Sequence, residues 1–172
     1  MTVITQREQE SRPPPCFSAK NPQKTPRILA KVSGGGHWVQ LLRLRSAFDG
    51  ACVHYATVDA TSAAMVAPAL FHLFPDANKD TKIKLLWAAL RLAVIVLRVR
   101  PDVVVSTGAA GGYFAIRFAR MLSARSLFID SIANARQLSV TAQMCRGVAH
   151  NVVSLWPEVA RQSGTQYWGS VL

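Results

Sequence analysis

Acidic residues are scarce in this chain of 172 residues: 9 Asp and Glu stand against 20 Lys and Arg, for a formal net charge of +11. No carboxylates cluster in a metal-binding pattern, so neither a metal centre nor a bound cofactor is expected. Cysteine is also sparse. Cys16, Cys52 and Cys145 are odd in number and far apart; they fit neither a zinc site nor a disulfide framework, which points to a reducing cytosol. The N-terminus lacks the apolar core of a signal peptide. A nucleic-acid-binding motif is missing too, because the basic residues are scattered through apolar stretches. The charge therefore favours an anionic membrane surface or a phosphorylated substrate, with no nucleic acid partner.

Apolar residues, by contrast, make up half of the chain, enough for one domain with a real core. Five of the nine prolines (Pro13, Pro14, Pro15, Pro22, Pro26) fall within residues 1–26, which hold few large apolar side chains. That segment reads as a flexible tail ahead of a single domain over 27–172. From Arg27 onward strand and helix signals alternate, with strands expected at 27–33, 51–57, 69–74, 102–106, 125–130 and 151–155. Continuous apolar runs such as Val103–Val105 suit a parallel sheet covered on both faces. The fold class is α/β, a Rossmann-like doubly wound parallel sheet.

Two glycine-rich loops stand between strand and helix. Ser33, Gly34, Gly35, Gly36 and His37 follow the first strand and open a helix expected to run to Phe48. Thr107, Gly108, Ala109, Ala110, Gly111, Gly112 and Tyr113 follow a later strand and open a helix ending near Leu122. Glycine lets backbone approach a ligand, and the helix N-terminus behind it offers unpaired N–H groups and partial positive charge. Ser33, Gly34, Gly35, Gly36, Thr107, Gly108, Gly111, Gly112 and Tyr113 are thus candidates for holding a phosphorylated ligand. Close strand–helix packing is the structural alternative for the second loop. Arg117 and Arg120 share a helix face and either draw in phosphate or face water.

His37 ends the first loop at a strand-to-helix junction. There the positive helix end disfavours imidazolium, leaving a neutral imidazole able to accept a proton. Asp130, at a strand end, and Glu158, after Trp156-Pro157, are the candidate functional carboxylates. His54, His72 and His150 lie in or beside apolar strands and read as structural. Asp59 has the place of a ribose-binding acid, but in G-x-G-x-x-G the third glycine would fall on Val39.

A helix is expected from Asp80 to Val99, with Lys84, Arg91 and Arg98 spaced by seven among apolar residues. Arg91 leaves apolar stretches of six residues on either side, whereas roughly 20 are needed to cross a bilayer. It is either a core helix with its polar stripe in water or a helix in the membrane interface, with Trp87 and its apolar neighbours down and cations on headgroups.

Several motifs, taken in order, resemble one known group: Val32-Ser-Gly-Gly-Gly-His-Trp-Val-Gln-Leu-Leu42, Pro101-Asp-Val-Val-Val-Ser-Thr-Gly108, Phe128-Ile-Asp-Ser-Ile-Ala133, Leu138-Ser-Val-Thr141, Trp156-Pro-Glu158 and Tyr167-Trp-Gly-Ser-Val-Leu172. They look like the acceptor-binding, membrane-associating subunit of two-subunit GT-B glycosyltransferases. That group includes the subunit serving dolichol-linked N-acetylglucosamine transfer and its bacterial exopolysaccharide and capsule relatives.

The resemblance implies the N-terminal half of a GT-B enzyme, with a separate donor-binding subunit supplying the C-terminal half and the UDP-sugar. It implies inverting transfer to a polyprenyl-diphosphate-linked saccharide at the cytoplasmic face of the membrane. The eukaryotic subunit has an N-terminal membrane anchor where this chain has a Pro-rich polar tail, so attachment is expected to be peripheral, without a transmembrane helix, through the apolar helix and the basic surface. His37 would be the base and Tyr113 an acceptor-site residue. The last segment, Gly164 to Leu172, reads as a final short strand with no second α/β domain after it, which suits a half-site closed by a partner. Two other readings stand beside this one: a non-catalytic membrane scaffold for a catalytic partner, and a stand-alone nucleotide-binding Rossmann enzyme.

Overall fold

The computed structural model describes residues 25–76 and 82–170. The expected tail at 1–26 falls almost wholly outside them, as do the start of the helix expected from Asp80 and the last two residues of the chain. Six strands form one sheet: β1 (Arg27–Lys31), β2 (Cys52–Thr57), β3 (Leu70–Leu73), β4 (Val103–Ser106), β5 (Arg125–Ile129) and β6 (Asn151–Val153). All neighbours pair in parallel, in the order β3-β2-β1-β4-β5-β6. This is the doubly wound Rossmann arrangement, with its switch point between β1 and β4. Each strand lies within two or three residues of its sequence-based position. The reason is visible in β4, where Val104 and Val105 are buried on opposite faces and so demand a continuous apolar run.

Among the described residues five α-helices connect the strands, α1 (Gly36–Arg43), α2 (Ala63–Val66), α3 (Lys82–Val99), α4 (Ala110–Met121) and α5 (Val140–Cys145), and α6 (Pro157–Ser163) follows β6. On one face of the sheet Leu29, Val104 and Phe128 pack against Leu92, Val96, Ile116 and Ala142 of α3, α4 and α5. On the other, Ile28, Ala30, Val105 and Ile129 pack with Trp38, Leu41 and Phe48.

Three sequence expectations change. The helix from His37 to Phe48 ends at Arg43 and tightens into a 3-10 turn over Arg45–Phe48, which carries Phe48 into the same core as Leu41. The final strand is reduced to one bridge, Val153 with Gln166. Gly164, at φ 65, ends α6 in the left-handed conformation just before that bridge. Cys52 is disulfide-bonded, whereas Cys145 is a buried free thiol, so the cysteines are not uniformly unpaired.

Candidate functional site

Both glycine loops leave the carboxyl ends of adjacent central strands, β1 and β4. Doubly wound sheets place their ligand crevice there. Thr107 ties the loops together, its hydroxyl donating to the His37 carbonyl at 3.0 Å. At Gly35 (φ 66) the backbone enters α1 in a left-handed conformation.

Gly108 (φ 134) and Ala109 (φ 60) both have positive φ, so backbone strain is concentrated where the second loop enters α4. Gly108 also supports the His37 ring. A Cβ at that position would lie 2.6 Å from His37 Cε1 and 2.8 Å from Nδ1. Gly108→Ala is therefore expected to lower stability by about 2 kcal/mol, through backbone strain and displacement of the imidazole. Urea denaturation together with the His37 ring NMR signals checks this; an unshifted midpoint and unchanged signals would contradict it.

His37 is half-buried, and its Nδ1 is buried without a hydrogen-bond partner among the described residues. Burial lowers its pKa; the Thr107 backbone opposes this, Lys31 adds to it when protonated, and Asp130 pulls upward. The net direction is down, so the ring is neutral and basic at pH 7, as its place at the first turn of α1 requires.

The second loop divides its work. Gly111 and Gly112 lie in the first turn of α4, above two buried polar side chains that sequence reasoning passed over. A Cβ on Gly111 would come within 2.9 Å of Lys31 Cε and Nζ. On Gly112 it would meet Ser106 Oγ. Lys31 and Ser106 are register partners across β1 and β4, and at 1% and 0% exposure neither reaches solvent. These two glycines let α4 sit down on the pair. Tyr113 follows them, partly buried and edge-on to Phe114 with ring centroids 5.7 Å apart. In the first loop Ser33 and Gly34 are partly exposed and Gly35 and Gly36 exposed, so this loop presents open backbone.

The two candidate carboxylates, Asp130 and Glu158, are differently placed from His37. Asp130 is buried, and its carboxylate accepts from the Ser131 N–H, Asn134 Nδ2 and the Ser139 N–H, each at 2.9 Å. Its carbonyl accepts from Gln40 Nε2 at 2.9 Å, while Gln40 Oε1 accepts from the Ile132 N–H at 3.3 Å. Asp130 and Gln40 thereby fix the 131–139 segment beside α1; Gln40 was not singled out from sequence. Glu158 is exposed in the first turn of α6, 4.0 Å from Arg161. Asp59 caps the 3-10 turn over Ala60–Ser62, accepting from Thr61 and Ser62. Arg120 is held at the other end of α4, donating to the Val148 carbonyl at 2.9 Å.

Helix α3 has an unusual outer face. At 100° per residue, Ala88, Ala89, Leu92, Ile95, Val96 and Val99 fall on one arc, and all are buried. The opposite arc carries Ile83, Leu86, Trp87, Leu90 and Leu97, which are 55–82% exposed. Lys84, Arg91 and Arg98, all exposed, border that apolar stripe along one side. Among the described residues, no helix is long and apolar enough to cross a membrane, and no group of His, Cys, Asp or Glu could hold a metal ion.

No family model matches the chain, and no curated protein sequence does. Solved structures do resemble it. MurG of Acinetobacter baumannii superposes with a TM-score of 0.63 at 19% identity, over 78% of this chain and 42% of that one. UDP-N-acetylglucosamine 2-epimerase of Rickettsia bellii gives 0.67 at 12% identity, over 86% and 45%. A glycosyltransferase of Rickettsia africae gives 0.54 at 16% identity, over 76% and 37%. The chain thus spans less than half the length of each of these proteins. At such identities the likeness is one of fold: a Rossmann-like α/β sheet corresponding to one half of a two-domain, GT-B-type fold.

Proposed function

We propose that the chain is the acceptor-binding half of an inverting glycosyltransferase, acting on a polyprenyl-diphosphate-linked saccharide with a UDP-sugar held by a donor-binding partner subunit. The observation that carries this reading is the pairing of two glycine loops at the switch point, with a half-buried His37 seated on Gly108. Open backbone and two helix N-termini suit a diphosphate. The acceptor hydroxyl oxygen attacks the anomeric carbon, the bond from that carbon to UDP breaks with its electron pair leaving on UDP, and the hydroxyl proton passes to the imidazole. His37 is favoured over the two carboxylates. Asp130 has its oxygens committed to three donors, and Glu158 lies exposed beside Arg161. The partner closes the cleft and excludes water.

The test is equilibrium binding to the purified chain. A short-chain polyprenyl-diphosphate saccharide is expected to bind saturably, and a UDP-sugar not detectably without the partner. Tight binding of a UDP-sugar or NAD, with none of the lipid diphosphate, would make the chain a stand-alone nucleotide-binding enzyme.

The outer face of α3 is the proposed attachment surface, apolar stripe inward and cations on phosphate headgroups, in keeping with a peripheral protein on the cytoplasmic face. Changing Leu86 and Trp87 together to Glu removes two large apolar contacts, worth about 3 kcal/mol or roughly 100-fold in vesicle affinity. Co-sedimentation with phosphatidylglycerol-containing vesicles measures it; affinity within threefold of wild type would exclude α3 as the attachment face. The scaffold reading shares this expectation but predicts that His37 is dispensable.

A further inference from the structure

Lys31 has no role in the chemistry above, yet it is the most unusual charge in the molecule. It closes β1, a central strand, and is 1% exposed. Its Nζ donates to the Gly108 carbonyl at 3.3 Å, lies over the Phe74 ring at 5.2 Å and fills the space that a Gly111 side chain would take. An ammonium has three N–H donors to satisfy. Beside it Ser106 Oγ, fully buried under the same turn of α4, has no hydrogen-bond partner among the described residues. Two buried polar groups short of partners, beneath the N-terminus of a twelve-residue helix, are an arrangement that an apolar pair would have avoided. Gly108 links Lys31 to the site directly, because its carbonyl holds the ammonium and its open Cα face holds the His37 ring.

We infer that Lys31 is a proton-coupled counter-charge for the ligand site: largely uncharged in the empty protein above neutral pH, it takes up a proton when a diphosphate settles on the two glycine loops. The inference rests on the phosphate reading of those loops. With no anion present, burial pushes the amine down to about 7, and the positive end of α4 adds to the cost of its charge. Around it stand Asp76, which favours the charged form, the Cys145 thiol of α5, pushed up to about 12 and so uncharged, and His37 of α1, which is neutral; α3 and α4 present Leu92 and Gly111. A cavity of about 30 Å³ bounded by Lys31, Ser33, Asp76 and Ala109 is large enough for one water and offers a route for the proton. An arriving diphosphate brings negative charge against the same loops and raises the proton affinity of the amine. The sign follows. Ligand affinity is highest below the amine's pKa in the empty protein, near 7, and falls as pH rises toward its value in the complex; proton uptake is greatest between the two.

Isothermal titration calorimetry on the full chain at pH 8, in buffers of differing ionisation enthalpy, tests this. The probe is geranyl-diphospho-N-acetylglucosamine, a diphosphate diester with no titration of its own between about pH 6 and 9. Wild type is expected to take up a substantial fraction of a proton per ligand, at least about 0.4, with affinity falling several-fold from about pH 7 to 8.5; Lys31→Met is expected to take up none and to bind independently of pH. Saturable binding without proton uptake, or uptake unchanged in Lys31→Met, overturns the inference and leaves the phosphate reading standing. Absence of saturable binding overturns both. Should Lys31→Met fail to fold, the Lys31 Cε resonance of the wild-type chain, titrated with and without the probe, decides. Its midpoint is expected near 7 when empty and at least about one unit higher when bound, and an unmoved midpoint overturns the inference.

Discussion

Asp130→Ala is expected to lower the stability of the fold by about 3 kcal/mol, the usual cost of stranding partners of a buried charged acceptor. Ser131 and Ser139 would lose the acceptor for their backbone N–H groups, and Asn134 the acceptor for its amide. The cost extends beyond one side chain. The Asp130 carbonyl also receives Gln40, so the 131–139 segment and the position of α1 depend on the same residue. Asp130→Asn, which keeps the shape but exchanges an acceptor for a donor, is expected to be intermediate. Urea denaturation measures the loss, and hydrogen exchange at the Ser131 and Ser139 amides locates it. A change under about 0.5 kcal/mol, the range of ordinary surface substitutions, would show that the segment is held by other contacts.

His37→Ala, assayed in the complex with the donor-binding subunit, is expected to lower kcat by about 10²–10⁴-fold, the range supplied by a positioned general base. KM for the acceptor should move little, because the phosphate-binding backbone is untouched. The lowered pKa of His37 fixes the pH profile. A base must be unprotonated, so activity should hold on a plateau from neutral pH to below the ordinary histidine value of about 6.5 and then fall on the acid side. His37→Gln keeps a polar side chain of similar reach but cannot take the proton, and should be as impaired as His37→Ala. Turnover within tenfold of wild type would remove His37 from proton transfer and favour the scaffold reading.

Much of this was legible in the sequence because a parallel sheet writes itself in continuous apolar runs. Val103–Val105 is buried between helices on both sides, and its composition says so. The glycine loops and His37 were legible because glycine and helix starts are local signals. What escaped depends on distant partners. Lys31 reads as an ordinary polar end to a strand; its burial follows from Gly111 and Gly112, eighty residues later, which let α4 close over it. Gln40 carries no local signal, because its partner Asp130 lies far along the chain. The expected strand after Gly164 failed for the same reason. Apolar and aromatic residues suggested pairing, but among the described residues of this segment only Gln166 finds a strand partner, at Val153, while Tyr167 and Trp168 stay exposed. The outer face of α3 lay between these cases. Its spacing was visible, but which arc faced the sheet required the packed core.

If this chain holds the acceptor while another subunit holds the donor, sugar transfer measured by subunit omission must require both. Labelled UDP-sugar and a short-chain polyprenyl-diphosphate saccharide would be incubated with this chain, with a donor-binding partner, and with both. Labelled product is expected only when both are present, at a rate that saturates with acceptor and depends on His37. Product formed by the partner alone at the full rate would contradict it.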